Sequence, residues 1–190
     1  MNDKKFDPKK LKKLNNPQRL VDIPVTFIAD KLNMKKPEVF VEIGAGTAFF
    51  CIAFLDHFKP EKIYACDIST VMLTWIRENV TPHYPEIIPV QTTENSVPLD
   101  DNTADLVFMI NLHHELDDPS RSLTESYRLL KPGGKICILD WKKEEMTEGP
   151  PEKIRCHPEH VNEQLDKSGF KIIQISKELP KHFLVVGEKH

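Results

Sequence analysis

An alternating α/β chain organised around one buried strand and the turn that follows it is the fold class this sequence predicts, on three observations. Val39–Ile43 (VFVEI) is four apolar residues broken only by Glu42, the composition of a strand buried on both faces. The chain then turns through Gly44 and Gly46 into a second apolar run, beginning at Thr47, that reads as a helix. Strand-like and helix-like segments go on alternating towards the C-terminus, where two strands joined by KELPK (177–181) read as an antiparallel pair.

The glycine turn carries the chemistry. A residue without Cβ takes positive φ freely and lets a ligand approach the backbone, while the helix start beyond it offers unpaired N–H groups. A dinucleotide turn requires G-x-G-x-x-G, whose third glycine lets the helix lie close to the strand under a pyrophosphate. Phe49 occupies that third position, and its phenyl ring disfavours a nicotinamide dinucleotide. The pattern present is E-x-G-x-G-x-A, formed by Glu42, Gly44, Gly46 and Ala48.

This stretch resembles the first motif of the class I S-adenosylmethionine-dependent methyltransferases, usually written as Asp or Glu followed by G-x-G-x-G, with Ala48 standing where the last glycine would be. The resemblance extends over roughly residues 38–189 and is closest to the branch that includes the ubiquinone and menaquinone biosynthesis methyltransferases. It implies a Rossmann-like seven-stranded sheet of order 3-2-1-4-5-7-6, strand 7 antiparallel and helices on both faces. It also implies S-adenosyl-L-methionine as cofactor and transfer of its methyl group to an acceptor.

Taken in order, residues 1–20 concentrate lysines (Lys4, Lys5, Lys9, Lys10, Lys12 and Lys13) in a chain whose net charge is −3. A short helix from Pro8 would place Leu11 and Leu14 on an apolar face, giving either a solvated helical arm or an anionic-surface patch. Phe6 is the one aromatic residue among these lysines, so nucleic acid is not the expected partner. Pro24–Asn33 reads as a second helix ending at Lys35-Lys36-Pro37. Residues 1–36 are thus expected to be a helical arm or lid, with Phe6, Leu11, Leu14 and Phe27 as apolar walls, and residues 37–190 the cofactor-binding domain.

After a Thr47–His57 helix, Lys62–Cys66 is a strand ending at Asp67. An acid there, about twenty residues beyond the glycine turn, suits two ribose hydroxyls; it also suits an N-cap for the Thr70–Asn79 helix. Ile87–Gln91 is the third strand, and Ala104–Ile110 the fourth. Between them Pro98 and Asp105 fit the family pattern, which also places a polar or acidic adenine contact at Thr93 or Glu94. The resemblance accordingly implies cofactor contacts from Glu42, Gly44, Ala45, Gly46 and Thr47 at the first turn. It adds Asp67 and Ile68 after strand two, Thr93 and Glu94 after strand three, and Asn111 after strand four.

Pro119–Leu130 reads as a helix stopped by Lys131-Pro132-Gly133-Gly134 through left-handed geometry. LLKPGGKICILDW (129–141) resembles the stretch that joins a helix to strand five in the same methyltransferases, where its role is structural. Residues 142–156 read as a polar loop or lid, Pro158–Ser168 as a helix, and Lys171–Ile175 and Phe183–Val186 as the closing strands.

At 190 residues, 39% hydrophobic and 29% charged, the chain suits one domain with a substantial core. No apolar run approaches the ~18 residues of a membrane helix, and the lysines at the N-terminus have no apolar stretch behind them, so a cytoplasmic protein is expected. Of the four cysteines, Cys51, Cys66 and Cys137 sit in apolar runs as buried residues do, and disulfides are not expected. Cys156, His157 and His160 lack a second ligand pair at zinc spacing, so no metal is expected.

The motifs specify the cofactor and leave the acceptor open; a small molecule is the expected partner. A non-catalytic cofactor-binding module is the rival reading, and an NAD-dependent oxidoreductase is disfavoured by Phe49 and by the lack of a Ser-Tyr-x-x-x-Lys set. His113 and His114 follow strand four at the edge where ligands lie in open α/β sheets. Either they are a buried structural pair, or one is a general base. If the strand stays extended, the two point to opposite sides, with His114 facing the acceptor and Asn111 the cofactor.

Overall fold

The structure, a computed structural model, describes residues 11–190. Lys4, Lys5, Phe6, Lys9 and Lys10, and the start of the predicted helix at Pro8, lie outside the described residues. The description opens with three short helices, α1 (Leu11–Leu14), α2 (Gln18–Asp22) and α3 (Val25–Leu32). Strand β1 (Val39–Ile43) follows, then α4 (Phe49–Phe58), β2 (Lys62–Asp67), α5 (Thr70–Asn79), β3 (Ile87–Gln91) and β4 (Ala104–Ile110). A 3₁₀ turn at His113–Glu115 leads to α6 (Pro119–Leu129) and β5 (Leu130–Trp141). The chain closes with α7 (Pro158–Lys167), β6 (Lys171–Ser176) and β7 (His182–Glu188).

The seven strands form one sheet of order β3-β2-β1-β4-β5-β7-β6. Strands β1 to β5 pair in parallel, and β7 runs antiparallel to both β5 and β6. This is the predicted Rossmann-like topology, and it follows from burial. The side chains of β1 from Val39 to Glu42 are all buried, because helices cover both faces.

On one face Phe40, Phe54 and Phe108 build the core with α3 and α4, the last two rings stacked at 4.3 Å between centroids. On the other, Val107, Ile138 and Phe183 pack against Leu123 of α6 and Val161 and Leu165 of α7. The first core includes Ile23, Ile28 and Leu32, so the segment from α2 to α3 is part of the fold rather than a free arm.

Three boundaries differ from expectation, each for a local reason. Helix α4 begins at Phe49 instead of Thr47 because Ala48 is left-handed, with φ 58°. Helix α6 stops at Leu129 without a left-handed cap. Leu130 is already extended and pairs with Ala104, and the positive φ of Gly133 falls within the strand, beside an irregular register to β4. Helix α2 is not legible in the sequence pattern; Asn16 Oδ1 accepts the Gln18 N–H at its start, and Arg19 turns inward from it.

The parallel strands align their carboxyl ends along one edge, and Asp105 fixes where β1 starts. Its Oδ2 accepts the N–H groups of Glu38 and Val39 at 2.9 and 2.8 Å, and Oδ1 pairs with Lys131 at 2.9 Å. Burial pushes the Asp105 carboxyl up, but Lys131 and the two N–H donors outweigh it and hold the group below its usual range. Asp105→Ala leaves two backbone donors unpaired and is expected to cost ~1–3 kcal/mol. Urea denaturation at neutral pH checks this, and an unchanged midpoint would remove Asp105 from that role.

Candidate active site

Gly44, Gly46 and Ala48 take positive φ alternately, at 72°, 55° and 58°, and wind the chain out of β1. The N–H groups of Gly44 and Ala45 both donate to the Cys66 carbonyl, at 2.8 and 3.0 Å, which fastens the turn to the end of β2. Gly46 donates to Asp67 Oδ2 at 2.8 Å, and Ser69 donates to Asp67 Oδ1 at 2.8 Å. The cap of α5 falls to Ser69, whose hydroxyl accepts from Met72 N–H. Asp67 therefore braces the glycine turn and keeps a spare lone pair on each oxygen for a diol. Burial pushes its carboxyl up, and the Ser69 and Gly46 donors oppose the rise.

The donor set fits a nucleoside cofactor. Besides Asp67, Thr47 Oγ1 and Asn111 Oδ1 are buried at this edge without a hydrogen-bond partner among the described residues. The glycines also admit close approach: a Cβ on Gly44 would lie 2.6 Å from Leu112 and one on Gly46 3.1 Å from Leu14. Leu112 and Leu14 thus lie over the turn. The loop after β3 reaches the same place through the Thr92 N–H, which donates to the Asp67 carbonyl at 3.1 Å. Ile68, Thr93 and Glu94 are exposed around it, with Gln91 donating to the Ile68 carbonyl.

Glu42 is placed differently from the other expected contacts. It is 3% exposed and faces α4, where its Oε2 accepts the Cys51 thiol at 2.8 Å. Burial pushes its carboxyl up to about 8, against the pull of Cys51 and Arg19. Arg19 stacks over Phe50, 4.6 Å from the ring centroid, and donates to the Leu14 carbonyl at 2.6 Å, bringing α1 and α2 down onto α4.

The two histidines diverge, but not by strand alternation. Asn111 is left-handed at φ 57° and the 3₁₀ turn follows at once, so β4 does not stay extended past Ile110. His113 is buried against α7, its Nε2 bonded to Gln164 at 2.8 Å, and burial lowers its pKa against that bond. His114 turns to β5. Asp140 Oδ2 accepts its backbone N–H at 3.0 Å, and Oδ1 meets its Nδ1 at 2.8 Å. Burial pulls the His114 imidazole down, but Asp140 and Glu115 outweigh it and push it up to about 9.

Asp140, 1% exposed, lies in the LLKPGGKICILDW stretch read from sequence as purely structural. The available signal was an acid at the carboxyl end of a buried strand, the same signal that identifies Asp67. Arg155, also unforeseen, is 3% exposed and holds residues 142–150 by donating to the carbonyls of Lys142, Glu144, Glu148 and Pro150. Among the described residues no three His, Cys, Asp or Glu side chains gather as metal ligands. No helix among them is long and apolar enough to cross a membrane.

The Glu42 environment has a consequence for stability. The unfolded chain releases this proton near pH 4.5 and the folded chain near pH 8. Folding therefore loses stability as pH rises from the first value through the second. Glu42→Gln should match the parent near pH 4.5 and exceed it above pH 8 by on the order of a few kcal/mol. Chemical denaturation at both ends of that range reads the difference; a constant offset would mean Glu42 is ionised when folded.

Residues 41–138 match the family model described as a methyltransferase domain. A crystal structure of a SAM dependent methyltransferase from Aquifex aeolicus is 31% identical, with a TM-score of 0.90 over 98% of this chain and 100% of that one. An uncharacterized methyltransferase of Bacillus subtilis is 25% identical, covering 77% of this chain and 78% of that protein. A demethylmenaquinone methyltransferase of Anoxybacillus flavithermus is 30% identical over 58% of this chain, and the match spans 47% of that longer protein. With the glycine turn, the braced acid and the sheet order in place, the chain belongs to the methyltransferase domain family, as an S-adenosylmethionine-dependent enzyme.

Proposed function

We propose that this enzyme methylates a small molecule whose accepting atom first loses a proton, and that His114 takes that proton. The observation that carries the reading is the His114–Asp140 pair at the carboxyl ends of β4 and β5. The relative named for demethylmenaquinone supports a small-molecule acceptor. When bound, S-adenosylmethionine supplies an already activated methyl group, so positioning is the protein's main task, one worth up to ~7–11 kcal/mol.

On this reading Gly44, Ala45, Gly46 and Thr47 hold the amino-acid part of the cofactor with Asn111. Asp67 takes the ribose hydroxyls, flanked by Ile68, and the loop at Thr93 and Glu94 borders the adenine. Glu42 acts behind the turn by holding α4 in place. His114 donates its Nδ1–H to Asp140, which fixes the tautomer and turns Nε2 into the acceptor of the substrate proton. Asp140 also stabilises the imidazolium that results. His113 is architectural.

The helices from α1 to α3 serve as the lid over this edge. Leu14 rests on Gly46, Arg19 on Phe49 and Phe50, and Asp22 is tied to Lys181 by a 3.0 Å ion pair. A cytoplasmic setting belongs to the same reading, supported by Cys51, Cys66 and Cys137, which are buried as free thiols. Incubating the protein with methyl-labelled cofactor and whole-cell extract tests the whole; label found only in macromolecules would overturn it.

Substitutions at Asp67, Asp140 and His114 separate cofactor from acceptor. Asp67→Ala should weaken binding of S-adenosylmethionine and S-adenosylhomocysteine by ~1.5–3 kcal/mol in calorimetry, the range for hydrogen bonds to a charged group. Unchanged affinity would take Asp67 out of the site. With a base held at about 9, turnover should rise with pH until that value. Asp140→Asn removes the charge that raises His114, so its rising limb should move to lower pH and end on a lower plateau. An unmoved limb in Asp140→Asn and in His114→Gln would show that His114 is not the base.

A further inference from the structure

His182 opens β7 beside the site, and nothing in the reading above uses it. It pairs in register with Trp141, the residue after Asp140, and the two rings are 4.3 Å apart. Its side chain is 1% exposed, yet neither Nδ1 nor Nε2 has a hydrogen-bond partner among the described residues. A buried polar atom left unpaired is costly, and this ring has two. Its polar neighbours are already engaged: the Lys181 ammonium pairs with Asp22 and Glu148, and Asp140 with His114.

We propose that His182 binds the methyl acceptor and selects for a neutral hydroxyl group carried on an apolar body. The proposal rests on the reading that the acceptor lies over the carboxyl ends of β4 and β5. A neutral imidazole offers one N–H donor and one lone pair, which is what a hydroxyl complements. The ring is kept neutral by burial, which lowers its pKa to about 4; Asp140 and Asp22 oppose that shift, while Lys181 and Arg19 reinforce it.

The apolar body follows from the surroundings. Along β7, His182 shares a face with Leu184, which pairs with Leu139 of β5 in the core that also holds Ile23. Around His182 the acids Asp140 and Asp22 offset Lys181 and Arg19, and Lys181 is already paired with Asp22 and Glu148, so a hydroxyl suits the ring better than a charged group. Helix α2 lies next to the start of β7: its Asp22 pairs with Lys181, the residue before His182, at 3.0 Å, while Arg19 and the buried Ile23 hold the helix to the core.

The test uses the full chain, labelled with ¹⁵N-histidine and saturated with S-adenosylhomocysteine, titrated with phenol and with toluene as the equal-shaped partner lacking the hydroxyl. The His182→Gln spectrum assigns the resonance. Phenol should shift the His182 ring nitrogens and toluene should not, with phenol preferred by about tenfold in affinity. His182→Phe should lose that preference and His182→Gln keep part of it, while S-adenosylhomocysteine affinity stays at the parental value in both. If phenol shifts His114 and leaves His182 unmoved, the acceptor edge stands and the role of His182 falls. Shifts at neither histidine overturn both. The parental spectra decide the matter even if His182→Phe fails to fold.

Discussion

The hydrogen bond from Gly46 N–H to Asp67 is the contact on which the cofactor half of the site depends. A chain leaving a buried parallel strand must reverse above the sheet before it can descend as a helix, and here it does so through three left-handed residues in alternation. Two are glycines, which adopt that geometry without penalty; the third, Ala48, accepts the strain of a Cβ in the left-handed region. A turn of this kind exposes its N–H groups, and Asp67 and the Cys66 carbonyl collect three of them from the neighbouring strand. On the proposed reading, in which Asp67 takes the ribose hydroxyls, the acid also keeps the backbone open and polar where an apolar core would close over it.

Acids also divide the labour along the sheet edge. Glu42, Asp67 and Asp140 end or nearly end β1, β2 and β5, and all are buried, but each is stabilised by different chemistry. Glu42 is shut away from water, and burial leaves it holding its proton against the pull of a thiol and a desolvated guanidinium. Asp67 is offered backbone donors, the partners best suited to a carboxylate that must also receive hydroxyls. Asp140 is offered an imidazole and a backbone N–H, so its charge is spent on raising the basicity of His114. The same side-chain type at equivalent strand ends therefore meets a different donor at each, and on the proposed reading serves packing, cofactor and proton transfer in turn.

Sheet order was implied by the family resemblance of the motifs, while most element boundaries were legible because they follow from one-dimensional patterns: runs buried on both faces, glycine turns, and proline or serine at helix starts. The acid at Asp67 was legible for the same reason, since its spacing from the glycines is local to one strand-turn-helix-strand unit. Asp140, His182 and Arg19 were not, because what matters for them is a partner far away in sequence. His114 meets Asp140 across β4 and β5, His182 meets Trp141 across an antiparallel pair, and Arg19 reaches α4 from a five-residue helix too short to show periodicity. Even the divergence of His113 and His114 was anticipated for the wrong reason. It arises from a left-handed Asn111 and a 3₁₀ turn, which the apolar pattern of β4 does not announce.

The unpaired polar atoms complete the argument about where a substrate lies. Thr47 Oγ1 and Asn111 Oδ1 sit at the ends of β1 and β4, and both nitrogens of His182 at the start of β7 beside the end of β5. Scattered through a core, these four and the fifth among the described residues, His113 Nδ1, would cost ~5–15 kcal/mol, comparable with the whole stability of a domain of ordinary size. A chain retains that cost where a ligand repays it, and these atoms are confined to one edge of the sheet. On the proposed reading Thr47 and Asn111 serve the cofactor and His182 the acceptor, and the His114–Asp140 pair acts from the side of the accepting atom, since an in-line transfer leaves no room for a base between the two substrates.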